Sequence, residues 1–323
     1  MAQNIGKHNI EVRYYSSVTA QKVDWLWYPY IPYGRITMLQ GDPGEGKTTF
    51  ALNIASLLSN GCSMPDSEIP TPSQSVIYQS TEDGIADTVK PRLIEAGADC
   101  SRIAFINDSH EPLTLDDSRI EHAIQSTGAR MLVLDPLQAF IGKEADFHRA
   151  NDIRPLMNKL ADVAGRTNCA VIIIGHMNKS VGTKGVYRGL GSIDITAAAR
   201  SVLMVGRLRD EPAIRVMTQL KNNLAPEGKS IAFEMDETSG FRWIGQYDIS
   251  IDELLNGEKP VEASKLVQAQ TVIQDILGGG ACLCSQIYKA CDSRGLSKRT
   301  VDTAKRSLGV KSTKQSDGWE WSM

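Results

Sequence analysis

Eight consecutive residues, Gly41-Asp42-Pro43-Gly44-Glu45-Gly46-Lys47-Thr48, limit what this chain can fold into more than any other stretch. They follow an apolar run, Ile36 to Gln40, and precede a helical stretch from about Lys47 to Ser59 that Asn60-Gly61 stops. A loop this rich in glycine fits between a buried strand and a helix. The glycines let backbone N–H groups close around phosphates, and the helix start adds its positive dipole end. In this pattern Gly41, Asp42, Pro43, Gly44, Glu45 and Gly46 form the cradle, with Thr49 beside it. Lys47 reaches the β- and γ-phosphates of ATP, and Thr48 is a ligand for Mg²⁺.

A strand–loop–helix start predicts an α/β fold, and the rest of the chain continues the pattern. Branched apolar runs at Ile36 to Gln40, Ser75 to Gln79, Arg102 to Ile106, Met131 to Asp135, Ala170 to Gly175 and Ser201 to Gly206 alternate with amphipathic helical stretches. That pattern belongs to a parallel sheet with crossover helices. Runs at Ile214 to Leu220, Ser230 to Met235 and Phe241 to Ile244, separated by turn residues, predict an antiparallel extension at the sheet edge.

The division by residue number is a lead over 1–24, an ATPase domain over 25–246, a linker over 247–262 and a small domain over 263–323. In the last part, Leu266, Ala269, Val272, Ile273, Ile276 and Leu277 share a helical face, and Ser297 can cap a later helix. Asp317-Gly318 then turns into Trp319-Glu-Trp321. Three helices and a terminal hairpin predict a winged helix-turn-helix. The aromatic cluster from Trp25 to Tyr30 is expected to pack on the larger domain, with the neighbourhood of a nucleotide base as one place for it.

With 323 residues, 41% of them hydrophobic, the chain has material for both domains. Its six cysteines show no Cys-x-x-Cys spacing and read as reduced thiols. No apolar run approaches the ~20 residues of a membrane helix, and no signal sequence stands at the start, so no membrane partner is expected and the cytoplasm is the expected location. The formal charge of -3 leaves any nucleic-acid contact to local patches.

Hydrolysis needs carboxylates as well as a phosphate loop. Asp135 ends a buried strand and is placed to support Mg²⁺, unless it is a plain strand-end cap. Glu82, in Ser80-Thr-Glu82-Asp83, follows the second strand and is placed to orient water, unless Glu82 or Asp83 only caps the helix after it.

The order of these motifs resembles the RecA-like AAA ATPases of the hexameric replicative-helicase group, especially RepA-type helicases of plasmids, phages and mobile elements. Trp25 to Trp27, Gly41 to Thr49, Ser80 to Asp83, Leu132 to Pro136, Gly175 to Lys179 and Gly189 to Arg200 carry the likeness. It implies Glu82 as catalytic base and His176 as a γ-phosphate sensor. It also implies a homo-oligomer, hexameric in the helicases, whose neighbouring copy supplies basic residues to each site. Lys221 matches the lysine of the helicases' Lys-x-Arg element, but Asn223 replaces the arginine. Arg200 or Arg207 then becomes the candidate finger, or a solvated surface charge.

Single-stranded DNA is the expected partner. The loops Gln138 to Arg149 and Asn178 to Gly191 interleave aromatics with basic groups, including Lys179, Lys184 and Arg188. Lys298, Arg299, Lys305 and Arg306 add a basic face to the terminal domain, where ordinary solvated charge is the other reading. The expected function is an ATPase acting on DNA in replication. An ATP-controlled DNA-binding regulator or helicase loader and a RecA- or RadA-like recombination accessory are the alternatives.

Overall fold

A computed structural model describes residues 12–142, 149–176, 193–236, 240–256, 265–315 and 318–322. In chain order the elements of the larger unit are β1 (Trp25–Trp27), β2 (Ile31–Pro32), β3 (Ile36–Gly41), α1 (Lys47–Asn60), β4 (Ser75–Ser80), α2 (Lys90–Glu95), β5 (Ile103–Ala104), α3 (Ser118–Thr127), β6 (Ala129–Asp135), α4 (Ala150–Thr167), β7 (Ala170–His176), α5 (Ile193–Ala198), β8 (Ser201–Arg207), β9 (Ile214–Asn222), β10 (Ser230–Asp236) and β11 (Gly240–Tyr247). Nine strands form one sheet in the order β11-β10-β9-β8-β3-β7-β6-β4-β5. From β8 to β5 the pairs are parallel, and β9-β10-β11 are antiparallel to one another. The parallel core and the antiparallel edge both match the sequence reading.

Strand alternation divides the core between the two faces of the sheet. Val76 and Tyr78, Met131 and Val133, and Ala170, Ile172 and Ile174 point into one cluster with Phe50, Ile54 and Leu58 of α1. Ile77, Leu132 and Leu134, and Val171 and Ile173 point into the other, against α3, α4 and α5. Period-2 alternation with both faces buried explains why these strands read as unbroken apolar runs. Helix α1 is covered on most sides, burying Phe50, Ala51, Leu52, Ile54, Ala55 and Leu58. Gly61, at φ 71°, ends it in the left-handed conformation and donates its N–H to the Leu57 and Leu58 carbonyls.

One sequence expectation needs correction. The edge strand expected over Arg102 to Ile106 is only Ile103–Ala104, preceded by a 3₁₀ turn over Cys100–Arg102. Past Ala104 the side chain of Gln79 takes over the ladder, accepting from Ile106 N–H at 2.8 Å and donating to its carbonyl at 3.0 Å. The aromatic lead packs on the domain, and its buried members Leu26, Trp27 and Tyr30 are part of the core. Trp27 is 2% exposed, donates its indole N–H to the Pro65 carbonyl at 3.0 Å, and lies against Tyr30, Phe50 and Trp243.

The smaller unit joins Arg207–Pro212 to the residues from Asp248 onward. It holds α6 (Ile251–Asn256), α7 (Lys265–Leu277), β12 (Cys282–Leu283), α8 (Cys284–Asp292), α9 (Lys298–Ser307), β13 (Lys311–Gln315) and β14 (Gly318–Ser322). β12, β14 and β13 make an antiparallel sheet. Ala269, Val272, Ile273 and Leu277 of α7 pack with Ile287, Val301, Ala304 and Trp321 into a core of its own. The Ser297 side chain accepts from Thr300 N–H and caps α9.

Phe50 joins α1 to the antiparallel edge through rings from Phe233 and Trp243, both centred 5.5 Å away. Phe50→Ala is expected to cost about 3–5 kcal/mol of stability. Urea unfolding followed by tryptophan fluorescence measures it, and a loss below about 1 kcal/mol, the size of a minor core trim, would mean that this ring does not close the face.

Candidate active site

The carboxyl ends of the parallel strands gather the chemistry. β3 ends at Gly41 beside His176, the last residue of β7, in parallel register. The side chain of His176 lies outside the described residues, so only its backbone place beside Gly41 is established.

Two positions in the loop call for glycine, Gly41 by contact with backbone and Gly46 by its left-handed φ. A Cβ on Gly41 would fall 2.2 Å from the Val205 carbonyl oxygen, and Gly46, at φ 89°, has the Met235 sulfur 2.5 Å from where its Cβ would lie. Gly46 is also the N-cap of α1 and offers no side chain to the helix start. The first N–H groups of α1 therefore have no side-chain cap, which is the arrangement that receives an anion.

Lys47 is 4% exposed and donates its ammonium to the Asp42 carbonyl at 2.8 Å. Burial lowers its pKa below the usual lysine range, against the opposing pull of Asp135, Asp42, Glu45 and Glu82. Behind it, Thr48 donates its hydroxyl to Asp135 Oδ2 at 2.8 Å, and Tyr78 donates to the same oxygen at 2.9 Å. Asp135 is 6% exposed. Burial raises its pKa, Thr48 and Tyr78 pull it back, and the charges of Glu82 and Asp83 raise it further. A buried carboxylate pushed toward its neutral form by its surroundings suits a divalent cation, whose charge would restore ionisation.

Tyr78 is the participant that sequence reasoning missed. Its pKa is raised well above the usual range, first by burial and then by the Asp135 charge. The signal was present: a tyrosine inside a buried strand needs a partner for its hydroxyl, and the neighbouring strand β6 ends in a carboxylate.

The two acids after β4 separate cleanly. Asp83 pairs with Arg92 at 2.8 Å and donates its N–H to the Ser80 hydroxyl. Glu82 is exposed, and its charge acts on both Lys47 and Asp135. The helical turn that follows has Gly84 as its N-cap, which offers no side chain to the turn.

Lys221 and Arg200 are elsewhere. Thr37 pairs with Ser201 in parallel register, so Arg200 sits at the amino edge of the sheet, opposite the phosphate loop. Lys221 reaches the same edge and donates to the carbonyls of Thr196, Ala197 and Ala199 at 2.8, 3.4 and 2.9 Å. Neither belongs to the phosphate site of its own chain. Arg207 ends β8 at the opposite edge.

Lys179, Lys184 and Arg188 lie outside the described residues, as do Lys143, Phe147 and His148 of the other loop. In the smaller unit Lys298 lies 5.2 Å from the centre of the Tyr288 ring. Lys305 lies 4.5 Å from that of Trp321 and donates to the Ser312 hydroxyl at 2.6 Å, which makes it a structural cation first. Arg299 and Arg306 are exposed, and Arg306 donates to the Asp302 carbonyl at 3.3 Å.

Residues 11–182 match the family model described as AAA domain. The chain is similar to DNA repair protein RadA of Helicobacter pylori, 25% identical over 225 residues that cover 68% of this chain and 44% of that protein. It is also similar to Protein RecA of Clostridium beijerinckii, 24% identical over 250 residues covering 69% and 63%. The chain thus spans less than two thirds of the length of these relatives. Among solved structures, an ATPase domain superposes with a TM-score of 0.50 at 17% identity, over 66% of this chain and 85% of that one, a likeness of fold.

Asp135 also sets a pH dependence. Its folded pKa is raised, so the folded state holds this proton more tightly than the unfolded state. Ionisation therefore costs stability as pH rises from the ordinary carboxylate range through the raised value. Without nucleotide or metal, Asp135→Asn is expected to melt a few °C higher at neutral pH, the size of about 1 kcal/mol here. Thermal unfolding across pH checks it. The gain should vanish below about pH 4, and a variant that melts lower at pH 7 would contradict the costly burial.

Proposed function

Since the chain belongs to the AAA-domain family of RecA-like P-loop ATPases, we propose that it is an oligomeric, Mg²⁺-dependent ATPase that acts on single-stranded DNA as a RepA-like motor. The observation that carries this reading is the division of labour between sheet edges. Lys47, Thr48, Asp135 and Glu82 converge at the carboxyl edge, while Lys221 and Arg200 lie at the amino edge of the same sheet. A site whose acidic and basic halves lie on opposite edges of one copy is completed when copies pack edge to edge.

The loop N–H groups and Lys47 would hold the triphosphate, and Thr48 and Asp135 would hold Mg²⁺, which withdraws charge from the phosphate oxygens. Tyr78 fixes the orientation of Asp135 through its 2.9 Å hydrogen bond. Glu82, whose charge reaches both Lys47 and Asp135, orients the attacking water and takes its proton. His176 is the proposed sensor of the γ-phosphate.

DNA comes into the reading from three directions. The relatives are a DNA repair protein RadA and a RecA. The loops that follow β6 and β7 carry interleaved aromatic and basic residues. The smaller unit, read as a winged helix-turn-helix, exposes Arg299, Arg306, Lys311 and Lys314. The names of the relatives favour one second reading, a recombination or repair accessory built on the same ATPase.

Glu82→Gln is expected to keep ATP binding and lose at least about 100-fold in turnover, whereas Lys47→Ala weakens binding and turnover together. ATP hydrolysis measured with single-stranded, duplex and no DNA, alongside particle mass with and without ATP, separates the readings. A ring stimulated by single strands supports the motor, and an ATP-dependent filament supports the accessory. A monomer indifferent to DNA rules out both.

A further inference from the structure

The cations of α9 and of the strands that follow it are not equally free. α9 carries Lys298, Arg299, Lys305 and Arg306, and β13 adds Lys311 and Lys314. Three of those on α9 are engaged by the smaller unit itself. Lys298 lies over the ring of Tyr288, whose hydroxyl donates to Asp302 of the same helix. Lys305 lies over the Trp321 ring and donates to the Ser312 hydroxyl, and Arg306 donates to the Asp302 carbonyl. By contrast, the side chains of Lys311, Lys314 and Trp319 make no hydrogen bond, ion pair or ring contact among the described residues. The unengaged groups therefore gather on β13 and β14, with Arg299 left on the helix.

Strand register sorts these groups by face. Ser312 stands opposite Trp321, and Lys314 stands opposite Trp319. Cross-strand partners share a face, as do residues two apart on one strand, so all four lie on the side where Lys305 meets both Trp321 and Ser312. Lys311, Thr313, Gln315 and Glu320 point the other way, and Glu320 accepts from the Gln315 amide there. The face shared with Lys305 thus has no carboxylate among the described residues of the two strands. Depth separates its two indoles. Trp321 is 2% exposed and belongs to the core, whereas Trp319, two residues nearer the start of β14, is 51% exposed. Two ammonium groups belong to this face: that of Lys305, held at Ser312, and that of Lys314, whose position is roughly 7 Å further along the strand.

We propose that Trp319 and Lys314 form a contact for single-stranded DNA, in which a base stacks on the exposed indole and neighbouring phosphates meet Lys314 and Lys305. A cationic patch alone would fit a duplex or a single strand. The half-exposed tryptophan selects the unpaired base, whose faces are open to stacking, while a base inside a duplex has both faces covered. DNA as the polymer rests on the proposed function, but the contact needs neither ATP nor a second copy. The smaller unit then holds the strand through β13 and β14 and not by laying α9 in a groove, because Lys298 and Lys305 are already held against Tyr288 and Trp321.

Binding of a short fluorescein-labelled oligothymidylate to the full chain without nucleotide, read by anisotropy, tests the contact. Trp319→Ala is expected to lower affinity about tenfold, and Trp319→Phe, which keeps an aromatic face, to stay within about threefold of the wild type. Lys314→Gln is expected to weaken binding and to reduce its salt dependence by about one phosphate contact, while Lys289→Gln, which removes a charge from α8, changes affinity less than about twofold. The decisive comparison uses an abasic strand of the same length, which keeps the phosphates and offers no base. The wild type is expected to prefer the oligothymidylate, and Trp319→Ala to lose at least about fivefold of that preference. A merely structural ring would weaken both strands alike.

The same preference for bases in the wild type and in Trp319→Ala overturns the proposal. So does an oligothymidylate affinity that the substitution leaves unchanged, or a duplex bound as tightly as the single strand with an equal loss in Trp319→Ala. A chain that shows the expected binding but does not hydrolyse ATP removes the motor reading and leaves this contact standing. A chain whose hydrolysis responds to single strands, with binding indifferent to Trp319→Ala, removes the contact and leaves the motor.

Discussion

The hydrogen bond from Thr48 to Asp135 joins two segments that the chain separates widely and the sheet brings together. Thr48 stands in the first turn of α1, and Asp135 ends β6, with β7 lying between β6 and β3 in the sheet. The bond can close only if β3, β7 and β6 run parallel and end at the same edge. That register in turn depends on both faces being buried, because a slip of one residue would send Leu132 and Leu134 into the layer that holds Met131 and Val133. The site geometry is thus a consequence of how the core is partitioned.

The same partition explains why acid is tolerated so deep. Asp135, Tyr78 and Lys47 are buried, and each shows the cost of desolvation as a shifted pKa: the two acids up, the lysine down. Shifts of opposite sign with one cause, desolvation, mark a pocket arranged for charges that the chain does not supply by itself. A triphosphate with its cation would satisfy both signs at once. Stability given up at such a site is recovered in the rest of the domain, where the ring cluster of Trp27, Phe50, Phe233 and Trp243 closes α1 against the antiparallel edge.

Much of this was legible in the sequence because it depends on local pattern. The loop from Gly41 to Thr48, the strand ending in Asp135 and the capped start of α9 at Ser297 each follow from a short run of residues and a periodicity. What was hidden depends on partners distant in sequence. Gln79 replaces a ladder rung beside Ile106, Tyr78 donates across strands to Asp135, and Trp27 fills a core that is completed only by Trp243. The aromatic lead was visible as a cluster, but the direction of its rings is set by residues far along the chain. Lys305 is a further case: charge alone marked it for a partner, and the indole of Trp321 beneath it is a fact of the fold.

Asn223 is the one departure from the family pattern at this element. The loss of arginine there made Arg200 or Arg207 the candidate finger. In the folded chain Asn223 donates its backbone N–H to the carbonyl of Arg200, whose side chain lines the same cavity as Arg35 and Arg154. The arginines at this edge thus come from the residues just before β3 and β8 and from α4 instead of from one strand. Lys221, the residue that does match, is turned inward to hold the end of α5. The roles of lysine and arginine follow their chemistry: a compact ammonium gathers three carbonyls, and planar guanidinium groups line the open cavity.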